Sequence, residues 1–176
     1  TWSDYYDLIG RSLLEAIAFA HSRETVHREL KPSDFLRDDS GLIRLADFGV
    51  SKFPTFFDAK LDIGEFMKAN EPFSPPNGYD PERSFTTDVY GFAAVSLYFL
   101  SRGKLRHWKE VPAALRELEA PAAVRAVLND ALQPAANERP EDAQVLVTKL
   151  EAAARKTRSA VVRPVCSLGL TNSALD

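Results

Sequence analysis

The chain has 176 residues, 45% of them hydrophobic, which is enough to bury one core and favours a single domain. A formal net charge of −3 argues against a nucleic-acid partner held by bulk electrostatics. The single cysteine, Cys166, cannot form an internal disulfide, and the most apolar stretch, 89–100, is shorter than the ~20 residues that span a bilayer, so we expect a cytoplasmic protein without membrane contact.

The first predicted element is a long helix. Apolar residues recur at three- and four-residue steps through the first twenty positions, a pattern typical of one buried face, and Ser3 stands where a helix cap is favoured. The helix ends next to His21 and leads into the polar segment that follows.

A short hairpin is predicted next. Two apolar triplets, 35–37 and 43–45, flank a turn rich in Asp and Gly. Residues 51–77 then mix five prolines and glycines with scattered aromatic residues, which indicates an irregular loop with one short helix near 61–68. Ser51, Thr55 and Ser74 lie in this loop as candidate phosphate acceptors, although their ordinary interpretation is as exposed hydroxyls.

Helices dominate the rest of the chain. Residues 88–101 are apolar on nearly every side, which predicts a helix buried all round at the centre of the core. Prolines 112, 121 and 140 each precede good helix formers and predict helices near 112–119, 121–132 and 140–156. From 157 to 176 we expect a loosely ordered tail. The two tryptophans, Trp2 and Trp108, are expected in the core or an interface.

The polar residues between 27 and 49 carry the chemistry. They read His27-Arg28-Glu29-Leu30-Lys31, then Asp34, then Asp47-Phe48-Gly49. This run resembles the catalytic and metal-binding stretch of protein kinases, H-R-D-L-x-x-x-N followed by D-F-G. Glu29 stands in place of the first Asp and Asp34 in place of the Asn, with the family's separation of five retained.

The resemblance implies the fold. It covers Ser3 to about Lys156, and implies the mainly α (α+β) large lobe of a serine/threonine protein kinase, helical with a small hairpin beside the catalytic loop. We therefore expect one domain at 1–156, followed by the tail.

The resemblance also implies catalytic roles. Glu29 would accept the proton of the attacking hydroxyl, and Lys31 would contact the transferred phosphate. Glutamate is a base of similar pKa to aspartate, but its added methylene moves the carboxylate by about 1.5 Å. A misplacement of roughly 1 Å can cost on the order of a hundredfold in rate, so weak catalysis is expected.

Asp34 and Asp47 are the implied metal ligands. Magnesium prefers carboxylate and water oxygens, so Asp34 keeps a suitable donor where the family has Asn. Together with Lys31, these residues would hold Mg and ATP in an active enzyme. His21, His27, Asp34 and Asp47 could instead form a metal cluster of another enzyme class, but no H-E-x-x-H or comparable spacing supports that.

The remaining motif residues are assigned structural or regulatory roles. The resemblance places His27, Phe48 and Gly49 within the two motifs, and lets Arg28 tie the catalytic loop to a phosphorylated activation segment. Asp88 would hold the catalytic loop by accepting backbone hydrogen bonds. For Lys31 and Arg28 the plainer alternative is a solvated surface cation.

Two stretches can stand for the A-P-E that closes the kinase activation segment. Residues 79–82 keep a glutamate, Glu82, but lie only six residues before Asp88; residues 73–77 have the more usual interval of eleven and place Asn77 at the glutamate position. We prefer the second alignment. Arg139 resembles the buried arginine that pairs with this glutamate, and Glu82 is an alternative partner.

Features of the kinase small lobe are missing. No G-x-G occurs, and the chain begins about two dozen residues before His27. A small-lobe segment would have to be supplied in cis or in trans, and we expect ATP binding by this chain alone to be weak or absent.

Two functions follow from the resemblance. The first is a pseudokinase-like regulatory module in phospho-signalling that binds a protein partner. The alternative is the large lobe of an active ATP- and Mg-dependent Ser/Thr kinase, with a protein substrate and a small lobe outside this chain. We favour the first, because Glu29, Asp34 and the altered docking segment all depart from the family pattern.

Overall fold

The computed structural model describes residues 1–48, 71–77 and 85–161, with side chains as far as 157. In this part of the chain the fold is mostly helical, with one two-stranded antiparallel sheet, as predicted. The helices are α1 (Trp2–Tyr5), α2 (Arg11–His21), α3 (Phe85–Leu100), α4 (Val111–Glu117), α5 (Ala122–Ala131) and α6 (Ala143–Val161). Within the described ranges, no helix is both long enough and apolar enough to cross a membrane.

The predicted first helix is interrupted and begins earlier than Ser3. Thr1 is the cap, because its side chain accepts a hydrogen bond from the Asp4 N–H. A π-helical turn, Tyr6–Gly10, then joins α1 to α2. A side chain at Gly10 would meet the Tyr5 ring at 2.9 Å, so the turn requires glycine at this close approach.

The predicted hairpin is confirmed. β1 (Phe35–Arg37) pairs with β2 (Ile43–Leu45), with Leu36 opposite Arg44. Asp38 organises the turn by accepting hydrogen bonds from the Ser40 and Leu42 backbone N–H groups. The hairpin therefore carries the chain from the buried Asp34 to Asp47.

α3 is the centre of the core, as its apolar pattern predicts. Twelve of its residues are buried, and the helix begins at Phe85, three residues earlier than expected. Gly91 lies against residues 27–34, which we call the catalytic segment after the kinase motif that they resemble, since a Cβ at Gly91 would meet the Leu30 Cβ at 2.9 Å. This close approach brings the catalytic segment onto the most buried helix.

The last three helices are present with shifted ends. α4 begins one residue before Pro112, and Pro121 is the N-cap of α5. α6 begins at Ala143 rather than at Pro140, because the Asp142 carboxylate caps it by accepting the Val145 N–H at 2.7 Å. It continues to Val161, five residues into the predicted tail, whose remainder lies outside the described residues.

The loop prediction can be checked only in part. Ser74 is 2% exposed, so its interpretation as an exposed hydroxyl was wrong. Gly49, Ser51, Thr55, the short helix near 61–68 and the 79–82 alignment all lie outside the described residues.

Candidate functional site

The catalytic segment is held by one buried carboxylate on α3. Asp88 Oδ2 accepts the His27 N–H and Asp88 Oδ1 accepts the Arg28 N–H, each at 2.7 Å. Arg28 has a φ of 73°, a conformation that non-glycine residues rarely adopt. The two hydrogen bonds to a charged acceptor stabilise this backbone, and the contacts agree with the role predicted for Asp88.

His21 links the same carboxylate to α6. Its Nδ1 accepts the Ala143 N–H at 3.1 Å, so the ring proton lies on Nε2 and is donated to Asp88 Oδ2 at 3.0 Å. Both side chains are buried. This contact of His21 could not be predicted from the sequence, because 67 residues separate His21 from Asp88 and no local pattern joins them.

Three of the predicted site residues lie close together, with Lys31 between Glu29 and Asp34. Lys31 Nζ donates to Glu29 Oε1 at 3.2 Å and lies 4.0 Å from Asp34 Oδ1. Asp34 Oδ2 accepts the Lys31 N–H at 3.0 Å, and the Ser33 hydroxyl donates to Asp34 Oδ1 at 3.3 Å. The structure therefore brings three of the predicted site residues into direct contact.

The charge of Asp47 also acts on Lys31. Partial desolvation lowers the pKa of Lys31, but the Glu29 hydrogen bond and the charges of Glu29, Asp34 and Asp47 outweigh it, so its pKa is raised. Lys31 is therefore a permanent cation among three carboxylates at neutral pH.

Asp34 differs from the other two carboxylates in its burial. It is 2% exposed, and this burial raises its pKa, although the Lys31 N–H and the Lys31 charge act in the opposite direction. Asp47 is exposed and has a φ of 62°. Asp34 is thus buried beneath the site, whereas Asp47 faces solvent and has a backbone conformation that is rare outside glycine.

The segment around Asp47 packs on His27. The His27 Nε2–H donates to the Ala46 carbonyl at 2.9 Å, and the His27 ring lies 4.8 Å from the Phe48 ring. The Ala46 N–H donates in turn to the Asp34 carbonyl at 2.8 Å. These contacts join the two motifs that the sequence placed about twenty residues apart.

Asp34 and Asp47 could bind magnesium only if a ligand and water supplied further oxygens. Among the described residues, no group of three or more His, Cys, Asp or Glu side chains could hold a metal ion by itself. Magnesium in phosphate-handling sites commonly takes one or two carboxylates and completes its shell with phosphate and water oxygens. Asp34 and Asp47 match that chemistry, and their metal role stays a prediction.

Residues 71–77 pack against the segment that follows α3. Trp108 donates from its backbone N–H to Glu71 Oε1 at 2.7 Å and from Nε1 to the Ser74 carbonyl at 2.6 Å. Neither contact could be predicted from the sequence, because the partners lie 34 to 37 residues apart without a pattern.

Arg139 is buried, as predicted, and binds backbone carbonyls. It donates to Gln133, Thr86 and Pro134, at 2.7, 3.1 and 2.6 Å, and its guanidinium lies over the Tyr90 ring. Glu82, the alternative partner for Arg139, lies outside the described residues, and the preferred 73–77 alignment stays a prediction.

Comparisons with known proteins agree with this geometry. A family model described as the protein kinase domain matches residues 3–166. Over 74 residues the chain is 45% identical to the human phosphorylase b kinase gamma catalytic chain, liver/testis isoform. It is 39% identical over 71 residues to mitogen-activated protein kinase kinase kinase 3 of Arabidopsis thaliana, and 31% identical over 90 residues to serine/threonine-protein kinase F of Synechocystis sp..

The matched segments differ in their share of each protein. They cover 42%, 39% and 51% of this chain, but only 16%, 12% and 18% of the three relatives. The chain therefore spans a minor part of the length of the curated relatives that it matches.

Proposed function

This chain belongs to the protein kinase domain family, and on that premise we propose that it is a pseudokinase-like regulatory module that binds a protein partner in phospho-signalling. The observation that carries the proposal is the side chain at the proton-acceptor position. Glu29 stands there instead of aspartate, and its carboxylate is hydrogen-bonded to Lys31 at 3.2 Å. The longer side chain displaces the base from the place that in-line phosphoryl transfer requires.

The site retains side chains of the kinds that bind phosphate and metal. Asp34 and Asp47 would hold magnesium together with nucleotide phosphates, and the metal would neutralise charge on those phosphates. Lys31 would face a phosphate from the same site. A cytoplasmic location belongs to the proposal and is supported by the single cysteine.

The second candidate is the large lobe of an active Ser/Thr kinase. It is favoured by the intact support of the catalytic segment, in which Asp88 fixes the backbone of His27 and Arg28. Glutamate and aspartate have similar pKa values, so Glu29 could still accept a proton if the substrate hydroxyl reached it.

The test compares the natural protein with its Glu29→Asp variant. We expect negligible transfer of labelled phosphate from Mg-ATP to casein by the natural protein, and an increase on the order of a hundredfold in the variant, because the shorter side chain restores the position of the base. The control is Glu15→Asp, a change at an exposed position of α2.

Two results would contradict the proposal. If the natural protein transfers phosphate well above the background of a reaction without protein, the enzyme is active with glutamate as its base. If Glu15→Asp gains activity to the same extent, the effect does not arise at the site.

A further inference from the structure

A cluster of cationic side chains follows α3 in a chain whose net charge is −3. Four cations and one histidine, all exposed, lie within eight consecutive positions, and we call them the basic strip: Arg102, Lys104, Arg106, His107 and Lys109. The strip lies where the chain leaves the core helix, next to the catalytic segment. Such a concentration of one charge produces a local potential opposite in sign to that of the whole molecule.

The backbone of the strip is fixed by its neighbours. Leu105 is 2% exposed, and Trp108 is hydrogen-bonded to Glu71 and Ser74. Gly103 has a φ of 73°, and a Cβ there would meet the Tyr98 hydroxyl at 3.2 Å. A partner would therefore meet a row of charged residues whose backbone is already fixed, so that only their side chains lose entropy on binding.

Nearby carboxylates offset only part of the charge of the strip. Glu110 Oε2 accepts the Arg106 and His107 N–H groups, at 2.7 and 3.0 Å, so it is engaged by the backbone. Glu71 accepts the Trp108 N–H and lies 3.6 Å from His107 Nδ1. Among the described residues no carboxylate oxygen lies within 4.0 Å of the charged nitrogens of Arg102, Lys104, Arg106 or Lys109, the limit for an ion pair.

A cavity of about 340 Å³ connects the strip with the catalytic segment. Arg106, Lys31 and Glu71 all line it, and Lys31 is bonded to Glu29, so Arg106 is the cation of this cavity without a carboxylate partner among the described residues. Its apolar lining includes Leu105 and the edge-to-face pair of Phe73 and Tyr98, whose ring centroids are 5.5 Å apart. The cavity thus combines a cationic rim with an aromatic wall.

We propose that the basic strip and this cavity bind an acidic segment of a partner protein, with one apolar side chain of that segment in the cavity. The inference rests on the proposed function, because it names the class of partner that the regulatory module recognises. Carboxylates of the segment would face Lys104 and Arg106, and the apolar side chain would pack on Phe73 and Tyr98.

The position of other acidic residues indicates which part of the strip matters most. Arg102 and Lys104 also line a cavity of about 570 Å³ whose lining includes Glu117 and Glu119. These glutamates reduce the local potential on that side. Arg106 lies outside that lining and shares its own cavity with one glutamate, Glu71, against three in the other cavity, Glu110, Glu117 and Glu119, so it is the centre of the proposed contact.

A protein segment fits these features better than a nucleic acid. The strip is short, the overall charge is negative, and the aromatic pair lies inside a small cavity. Nucleic-acid surfaces are instead strongly cationic over a wide area and stack bases on accessible aromatic faces. Binding of an oligonucleotide is accordingly an outcome that the test includes.

The test measures the binding of labelled peptides to the whole chain by fluorescence anisotropy, without nucleotide. The probe is a glutamate-rich peptide with one central phenylalanine. We compare it with a peptide in which glutamine replaces every glutamate, and with one in which alanine replaces the phenylalanine. We expect the first to bind at least about tenfold more tightly than either control, with an affinity that falls as salt rises.

Charge reversal locates the contact. Lys104→Glu combined with Arg106→Glu should weaken binding of the acidic peptide at least about tenfold, because two attractive contacts become repulsive. The matched control reverses Arg155 and Lys156, two exposed cations on α6. It should leave the affinity unchanged within about twofold, and equal melting temperatures should show that both variants fold.

Three outcomes would overturn the inference. These are equal binding of the glutamate and glutamine peptides, equal loss in the two charge-reversal variants, and equally tight binding of an oligonucleotide of the same charge. Because no phosphate transfer is measured, the result is independent of the Glu29→Asp experiment. If the chain were an active kinase, peptide binding at the strip would still be measurable.

Discussion

At the scale of single residues, the site depends on carboxylates that differ by one group from those of the family pattern. Glu29 adds a methylene, and Asp34 replaces an amide oxygen and nitrogen with a charged pair of oxygens. Both still contact Lys31 or its backbone. Both side chains therefore still take part in the hydrogen bonds of the site, but Glu29 changes the position of the base and Asp34 changes the total charge.

The first residue-scale prediction concerns Asp88. Its two oxygens accept three hydrogen bonds, from His27, Arg28 and His21. Asp88→Asn presents an amide nitrogen to donors and removes the charge, so we expect the free energy of unfolding to fall by about 3 kcal/mol. Urea unfolding followed by circular dichroism at neutral pH measures the change.

Asp7 provides a matched control for this prediction. It is exposed in the π-helical turn, so Asp7→Asn should change the free energy of unfolding by less than about 0.5 kcal/mol. Equal effects of the two variants would show that Asp88 does not stabilise the catalytic segment.

At the scale of elements, the hairpin lies between Asp34 and Asp47 in the sequence and brings the two ends of this stretch close together. Its register places Phe35 opposite Leu45, so Asp34 and Ala46 become neighbours just beyond the paired strands. The turn must therefore be stable for the site to form, and Asp38 is its main polar support.

The hairpin gives a prediction of pH dependence. The hydrogen bond from the Ser40 hydroxyl, together with the Leu42 N–H and Arg44, lowers the pKa of Asp38 to about 2. A carboxylate with a lowered pKa stabilises the folded state above its unfolded pKa, and this contribution is lost as pH falls through the folded value. The stability advantage of the natural protein over Asp38→Asn should therefore shrink as pH falls from about 4 to about 2.

Urea unfolding at successive pH values measures this advantage, and NMR titration of the Asp38 carboxyl group gives its pKa directly. Asp39→Asn, which removes the same charge from the adjacent exposed position, is the control. An Asp38 titration midpoint at or above 4, or an identical pH profile for both variants, would contradict the expectation.

At the scale of the whole molecule, distant segments are joined by a few buried polar side chains. His21 connects α2, α3 and the start of α6, and Arg139 connects the start of α3 with the turn at 133–134. These contacts hold α2, α3 and α6 together next to the catalytic segment. Their loss should therefore affect global stability more than local structure.

Arg139→Lys tests this at the molecular scale. Lysine keeps the charge but has no planar fork, so it cannot satisfy the three carbonyls that the guanidinium binds at once. We expect the free energy of unfolding to fall by about 2–4 kcal/mol in urea unfolding, since hydrogen bonds to charged groups contribute about 1.5–3 kcal/mol each. Arg155→Lys, at an exposed position on α6, should change it by less than about 0.5 kcal/mol, and a similar loss there would refute the explanation.

The sequence by itself determined the fold class, the hairpin, the buried central helix and the family, because apolar periodicity and the spacing between residues 27 and 49 are local properties of the chain. It placed helix ends less well, since caps such as Thr1 and Asp142 compete with nearby residues of similar propensity. Only the tertiary structure showed that His21 bonds to Asp88, that Trp108 bonds to residues 71–74, and that Ser74 is buried. These contacts join residues 34 to 67 positions apart, and packing of the whole chain, rather than any local pattern, brings them within hydrogen-bonding distance.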